Sequence, residues 1–79
     1  PFVRAMIQHR RMREGSILQA LEDGPASIAA LTAKVYAGLP AGLQGAAALN
    51  LFAHLEDLVQ RGRAACEGSP SLTGRYWLA

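Results

Sequence analysis

Cysteine occurs once in this 79-residue chain, lysine once and tryptophan once, and no acidic residue precedes Glu14. The single Cys66 excludes an internal disulfide framework and a cysteine-based zinc cluster. No apolar run approaches the roughly 18 residues of a membrane span, and no segment has the form of a secretory signal. Repeats and low-complexity tracts are also missing. These absences lead to the expectation of a cytoplasmic, reduced, soluble domain with no membrane partner. Charged residues are sparse at 18%, and 51% of the chain is hydrophobic, too apolar for a disordered tail. A chain of this length forms one small domain and buries only about 60% of its unfolded surface. It opens Pro-Phe-Val rather than with methionine, which reads as a processed start or as a piece of a longer protein.

Hydrophobic periodicity predicts a first helix over residues 3–22, with Val3, Met6, Ile7, Ile17, Leu18 and Leu21 on one side. Gly24 and Pro25 end it, because glycine suits the left-handed cap and proline cannot continue a helix. Gly15 inside the helix costs roughly 1 kcal/mol relative to alanine and marks a place for a kink. Ser27 is a good N-cap for a second helix, 27–37, with Ile28, Leu31 and Val35 inward. After "AGLPAG" a third helix runs from Leu43 to Arg61, with Ala47, Ala48, Leu51, Phe52, Leu55, Leu58 and Val59 on its buried arc. Two short segments, 63–66 and 74–78, flank the turn-rich "EGSPSLTG" and read as a hairpin. Tyr76 and Trp77 are adjacent in the second strand, so one of them is expected in the core. Three helices followed by a hairpin give a mainly α architecture with a small β-hairpin, the winged helix. A three-helix bundle with a disordered tail is the alternative, and Trp77 argues against it.

Charge is distributed unevenly. Arg4, Arg10, Arg11 and Arg13 give the first thirteen residues +4, whereas the remainder sets Lys34, Arg61, Arg63 and Arg75 against six carboxylates. A winged helix that reads DNA lays its third helix in the major groove and needs cations and base-reading donors there. The outward arc of this third helix holds Leu43, Gly45, Ala46, Leu49, Asn50, Ala53, Glu56, Asp57, Gln60 and Arg61. That face is poor for phosphates, and double-stranded DNA is disfavoured as a partner. The basic excess belongs to the first helix alone, where a solvated face is the plainest reading.

That helix carries two apolar patches around a polar waist formed by Arg10 and Glu14, which are spaced to pair at i, i+4. At ~30 Å for about 20 residues, it is as long as so small a domain is wide. Residues 1–14 are therefore expected to project, exposing Phe2, Val3, Met6 and Ile7 beside Arg4, His9, Arg10 and Arg13. An exposed patch of this kind invites a partner, and fraying or folding back onto the core is the alternative.

The segments "IQHRRMREGSILQAL", "GPASIAALTAKVYAGL", "AAALNLFAHLEDLVQRGRA" and "GRYWL" resemble the C-terminal winged-helix domain of metallo-beta-lactamase-fold hydrolases, in the beta-lactamase-like protein 2 branch. The resemblance is carried by His9-Arg10, Arg13-Glu14, Ile17-Leu18, Tyr36, His54-Leu55, Leu58, Gly62-Arg63 and the aromatic-leucine ending. It implies a missing N-terminal catalytic domain that binds two metal ions, usually zinc, through a His-x-His-x-Asp-His motif with no counterpart here. This chain would then be the non-catalytic part of a metal-dependent hydrolase acting on RNA, thioesters or lactones. It would hold no cofactor itself, pack on the catalytic domain and shape substrate access. Phe2, Val3, Arg4, Met6, Ile7, His9, Arg10 and Arg13 become interdomain or substrate-facing candidates, with interdomain ion pairs favoured over contact with an anionic substrate. The competing reading is a free-standing nucleic-acid module that uses the Arg4–Arg13 stretch, with single-stranded RNA as its partner.

No catalytic or metal-ligating set emerges from the remaining residues. Ser16 and His9 lie about 10 Å apart along a helix, too far for a nucleophile–base pair. His54 falls at the edge of the buried arc and reads as a packing histidine with a satisfied ring. Cys66 reads as a small buried residue.

Overall fold

The local signals that end each helix also set the path of the chain. In the computed structural model, which describes residues 2–79 and side chains from Gln8 onward, the first helix α1 spans Phe2–Leu21. Gly24 closes it at φ +118°, donating its N–H to the Leu21 carbonyl at 3.1 Å. A residue with a side chain rarely adopts that conformation. Pro25 then leads into a two-residue strand, β1 (Ala26–Ser27). Ser27 serves two elements. Its extended backbone pairs with Arg75, while its hydroxyl accepts the Ala30 N–H at 3.1 Å and caps α2 (Ile28–Val35).

A 3₁₀ turn at Ala41–Leu43 leads into α3 (Gln44–Gln60). The end of α3 is a Schellman motif: Gly62, at φ +75°, donates to Val59 at 3.1 Å, and Arg63 donates to Leu58 at 2.9 Å. The chain leaves as β2 (Ala64–Cys66) and returns as β3 (Arg75–Leu78). The three strands form an antiparallel sheet in the order β1-β3-β2, with Ala26 and Cys66 both opposite Tyr76. Three helices and this wing make the winged-helix architecture. The predicted hairpin is present, whereas β1 was not foreseen, because two residues carry no readable alternation.

The core lies where the helices meet the sheet. Ile17 and Leu21 of α1, Ile28 and Leu31 of α2, and Leu51, Leu55 and Leu58 of α3 are buried with Ala64 and Tyr76. Each leucine or isoleucine contributes on the order of 1.5–3 kcal/mol by leaving water. The side chains of Ala48, Phe52 and Val59 are half-buried at the edge of the α3 stripe. Thr32, the buried polar residue, donates its hydroxyl to the Ile28 carbonyl at 2.7 Å.

Tyr76 and Trp77 divide as strand alternation requires. Tyr76 is fully buried and Trp77 half-buried. The Tyr76 hydroxyl donates to the Ser71 carbonyl at 2.7 Å and accepts the Ser71 N–H at 2.9 Å, fastening the wing loop from within. Burial raises the Tyr76 pKa, which keeps the phenol protonated and able to donate. Gly15 causes no break in α1, and nothing lies within 4 Å of where its Cβ would be.

Two substitutions check this account by urea denaturation. Gly15→Ala, at an open helical site, is expected to raise stability by about 0.5–1 kcal/mol. Tyr76→Phe removes both bonds to Ser71, and a loss of about 1 kcal/mol or more is expected. An unchanged midpoint would show that the clasp does not stabilise the fold.

Candidate functional site

On α1, His9, Arg10 and Arg13 are spaced so that Arg13 lies one turn beyond His9 and Arg10, on nearly the same side. Asn50 and His54 have the i, i+4 relation on α3. The packing of the two helices brings these five side chains around one open recess of about 290 Å³. Three of the sequence candidates thus gather in one place. Phe2, Val3, Arg4, Met6 and Ile7 lie outside the residues with described side chains.

Tyr36, at the C-cap of α2, connects the two sides of the recess. The Arg13 guanidinium sits 4.3 Å from the centroid of its ring, a cation–π contact of roughly 0.5–1 kcal/mol at a partly exposed site. The Tyr36 hydroxyl donates to Asn50 Oδ1 at 2.8 Å. One aromatic side chain therefore positions an arginine from α1 and an amide from α3. With Oδ1 engaged, Asn50 presents its Nδ2 group as a donor.

The acid closest in sequence to these arginines is paired elsewhere. Glu14 does not form the i, i+4 pair with Arg10 that its spacing allows. Its Oε1 lies 2.6 Å from Arg61 Nη2, and the same nitrogen lies 2.9 Å from Asp57 Oδ2. Arg61 wins because it stands at the C-cap of α3, where a cation is favoured, and can bridge two carboxylates at once. Lys34 takes Asp23 at 2.9 Å. Arg10 and Arg13 consequently have no carboxylate partner among the described residues.

His54 departs from the expectation of a satisfied packing histidine. It is half-buried, and its Nδ1 is enclosed without a hydrogen-bond partner. Burial lowers its pKa most, and Arg10 and Arg13 push in the same direction. Glu14 and Asp57 oppose them without reversing the shift. Partial burial and a positive neighbourhood thus both favour the neutral ring.

Elsewhere the exposed side of α3 agrees with the sequence projection. Leu49 is strongly exposed on the outward side of α3, with Ala46 and Ala53 also exposed, and Leu43 is exposed in the 3₁₀ turn just before it. Its one cation, Arg61, is committed to Glu14 and Asp57. Ser16 donates to the Met12 carbonyl at 3.1 Å and takes no part with His9. Cys66 is half-buried rather than buried. A larger groove of about 550 Å³ lies on the sheet side, between Pro25, Glu67, Arg75 and Trp77. Among the described residues no three His, Cys, Asp or Glu side chains gather as a metal site. No helix among the described residues is long and apolar enough to cross a membrane.

The sign of the His54 shift gives a pH dependence. Just below the ordinary histidine value of ~6.5, the unfolded chain binds more protons than the folded one. Stability should therefore fall as pH drops through that value and recover as pH rises above it. His54→Gln should remove this component. Urea midpoints at about pH 7.5 and about pH 5.5 check it, and equal slopes for both proteins would rule it out.

The search of curated proteins gave no match. One family model, described as the beta-lactamase associated winged helix domain, matches residues 27–77. The match takes in Tyr36, Asn50 and His54, and it leaves α1 with its arginines outside. It covers more than half of the chain and agrees with the helix order and wing seen here. This chain belongs to the beta-lactamase associated winged-helix domain family.

Proposed function

We propose that the chain is the non-catalytic C-terminal domain of a metal-dependent hydrolase of the metallo-beta-lactamase superfamily, docked on the catalytic domain and shaping access to it. The observation that carries this reading is the outward side of α3. In a DNA reader that surface faces the groove, whereas here it exposes Ala46, Leu49 and Ala53, with Leu43 just before the helix, and has no uncommitted cation. An exposed apolar strip beside a polar, basic rim is the usual composition of a protein interface. The family association with beta-lactamases supplies the kind of partner. In this reading bond cleavage and its metal ions belong to the partner domain, and this chain contributes no catalytic residue.

The second reading, a free-standing nucleic-acid module, draws on the unpaired Arg10 and Arg13. Two observations weigh against it. Arg13 covers a face of the Tyr36 ring on which a base would stack. Arg10 and Arg13 also meet at one recess shared with α3.

The test is association with the beta-lactamase-fold domain encoded in the same reading frame. Leu49→Glu should weaken that association about tenfold or more while leaving the chain folded, as expected for a charge placed in an apolar contact. A frame encoding no such domain, or undiminished association of the Leu49→Glu protein, would overturn the docking reading. Nucleic-acid binding that declines steeply with salt and is lost in Arg10→Ala/Arg13→Ala would support the second.

A further inference from the structure

The recess between α1 and α3 holds, beside the imidazoles of His9 and His54, two guanidinium groups with no carboxylate partner among the described residues. Arg10 and Arg13 have only donors, and Asn50, whose oxygen accepts from Tyr36, has its Nδ2 hydrogens to offer. The nearby carboxylates that would neutralise them, Glu14 and Asp57, are held by Arg61. Arg13 is also held in place, since Tyr36 lies under its guanidinium. These donors match an oxyanion, and the planar guanidinium favours two-point pairing with a carboxylate or phosphate.

We infer that this recess receives a carboxylate side chain from the domain on which the chain docks, bound by Arg10 and Arg13 with Asn50 Nδ2 donating. This inference rests on the docking reading. The surroundings of Asn50 favour a protein carboxylate over a nucleic-acid phosphate. Ala46, Leu49 and Ala53 flank Asn50 on α3 and are exposed. A carboxylate carried on a protein surface can bury that apolar ground as it pairs, whereas a polynucleotide backbone would leave it wet. The site therefore works as a socket within the docking face. It sets orientation by charge, while the leucines exclude water around it.

A seated carboxylate also changes the electrostatics of the wall. Arg10 and Arg13 now depress the His54 pKa, and Glu14 and Asp57 only partly oppose them. An added negative charge beside the arginines offsets their effect, so His54 reports occupancy.

The test uses acetate as the probe, titrated into isotope-labelled chain against sodium chloride at matched ionic strength. Saturable shifts of the Asn50 side-chain amide and a rise in the His54 pKa are expected with acetate and not with chloride. Arg10→Ala/Arg13→Ala should weaken acetate binding about tenfold, in line with the loss of charge-assisted hydrogen bonds. Asn50→Asp places a carboxylate in the recess from within while keeping an acceptor for Tyr36. It should abolish acetate binding and raise the His54 pKa without acetate. Shifts no larger than those with chloride, or unchanged by both variants, overturn the inference. So does inorganic phosphate or a short single-stranded RNA binding tenfold tighter than acetate at this recess, which would make it a phosphate site. The titration needs no partner domain, so its failure is separate from failure of docking, which the Leu49→Glu association measures.

Discussion

The fold depends on β3 lying between two strands that come from distant parts of the chain. β1 belongs to the junction of α1 and α2, and β2 follows α3, so β3 unites both ends of the helical layer. Tyr76 sits at this crossing, opposite Ala26 on one side and Cys66 on the other. Arg75 reinforces it by donating from Nη2 to the Pro25 carbonyl at 3.1 Å. Burial of Tyr76 against the α-helical core therefore couples layer to layer. Local helix signals alone would leave three helices without a fixed relation to the wing.

That arrangement makes the recess meaningful. The angle between α1 and α3 is set by Ile17, Leu21, Leu51 and Leu55 in the core, and the same packing brings His9, Arg10 and Arg13 beside Asn50 and His54. A second constraint is the competition for Glu14. In an isolated helix Glu14 would sit one turn from Arg10, and the local positive charge would be muted. Tertiary structure offers Arg61 instead, and the basic side of α1 keeps its charge. The unusual feature thus depends on an ion pair that draws Glu14 to Arg61.

Much of this was legible in the residues. Helix ends at Gly24 and Gly62, the cap at Ser27 and the leucine stripe of α3 follow from local rules with few competitors. The excess charge of Arg4, Arg10, Arg11 and Arg13 was legible because uncompensated charge in one segment needs no tertiary information, whereas that only His9, Arg10 and Arg13 of the eight candidates line the recess among the described residues was not. The roles of Tyr36 and Asn50 were not legible: their meeting spans two helices, and neither spacing nor composition reports it. His54 was placed correctly at the edge of the buried arc, yet its orphaned Nδ1 depends on what neighbouring helices fail to supply. The pairing of Glu14 was misread for a related reason, since an i, i+4 neighbour is visible in sequence and a competitor 47 residues away is not.

The clasp between Tyr76 and Ser71 has a further consequence. A hairpin loop is ordinarily held by its own turn residues, so changing them changes its shape. Here the loop is held both by its turn bond from Gly74 to Ser71 and from the core side, through backbone atoms of Ser71 that every residue except proline possesses. Its outer side chains, Leu72 among them, remain exposed. The wing loop is therefore anchored at Ser71 without using the side chain there, which leaves exposed positions such as Leu72 free to vary. A family of such domains could present different faces to different partners on one unaltered frame.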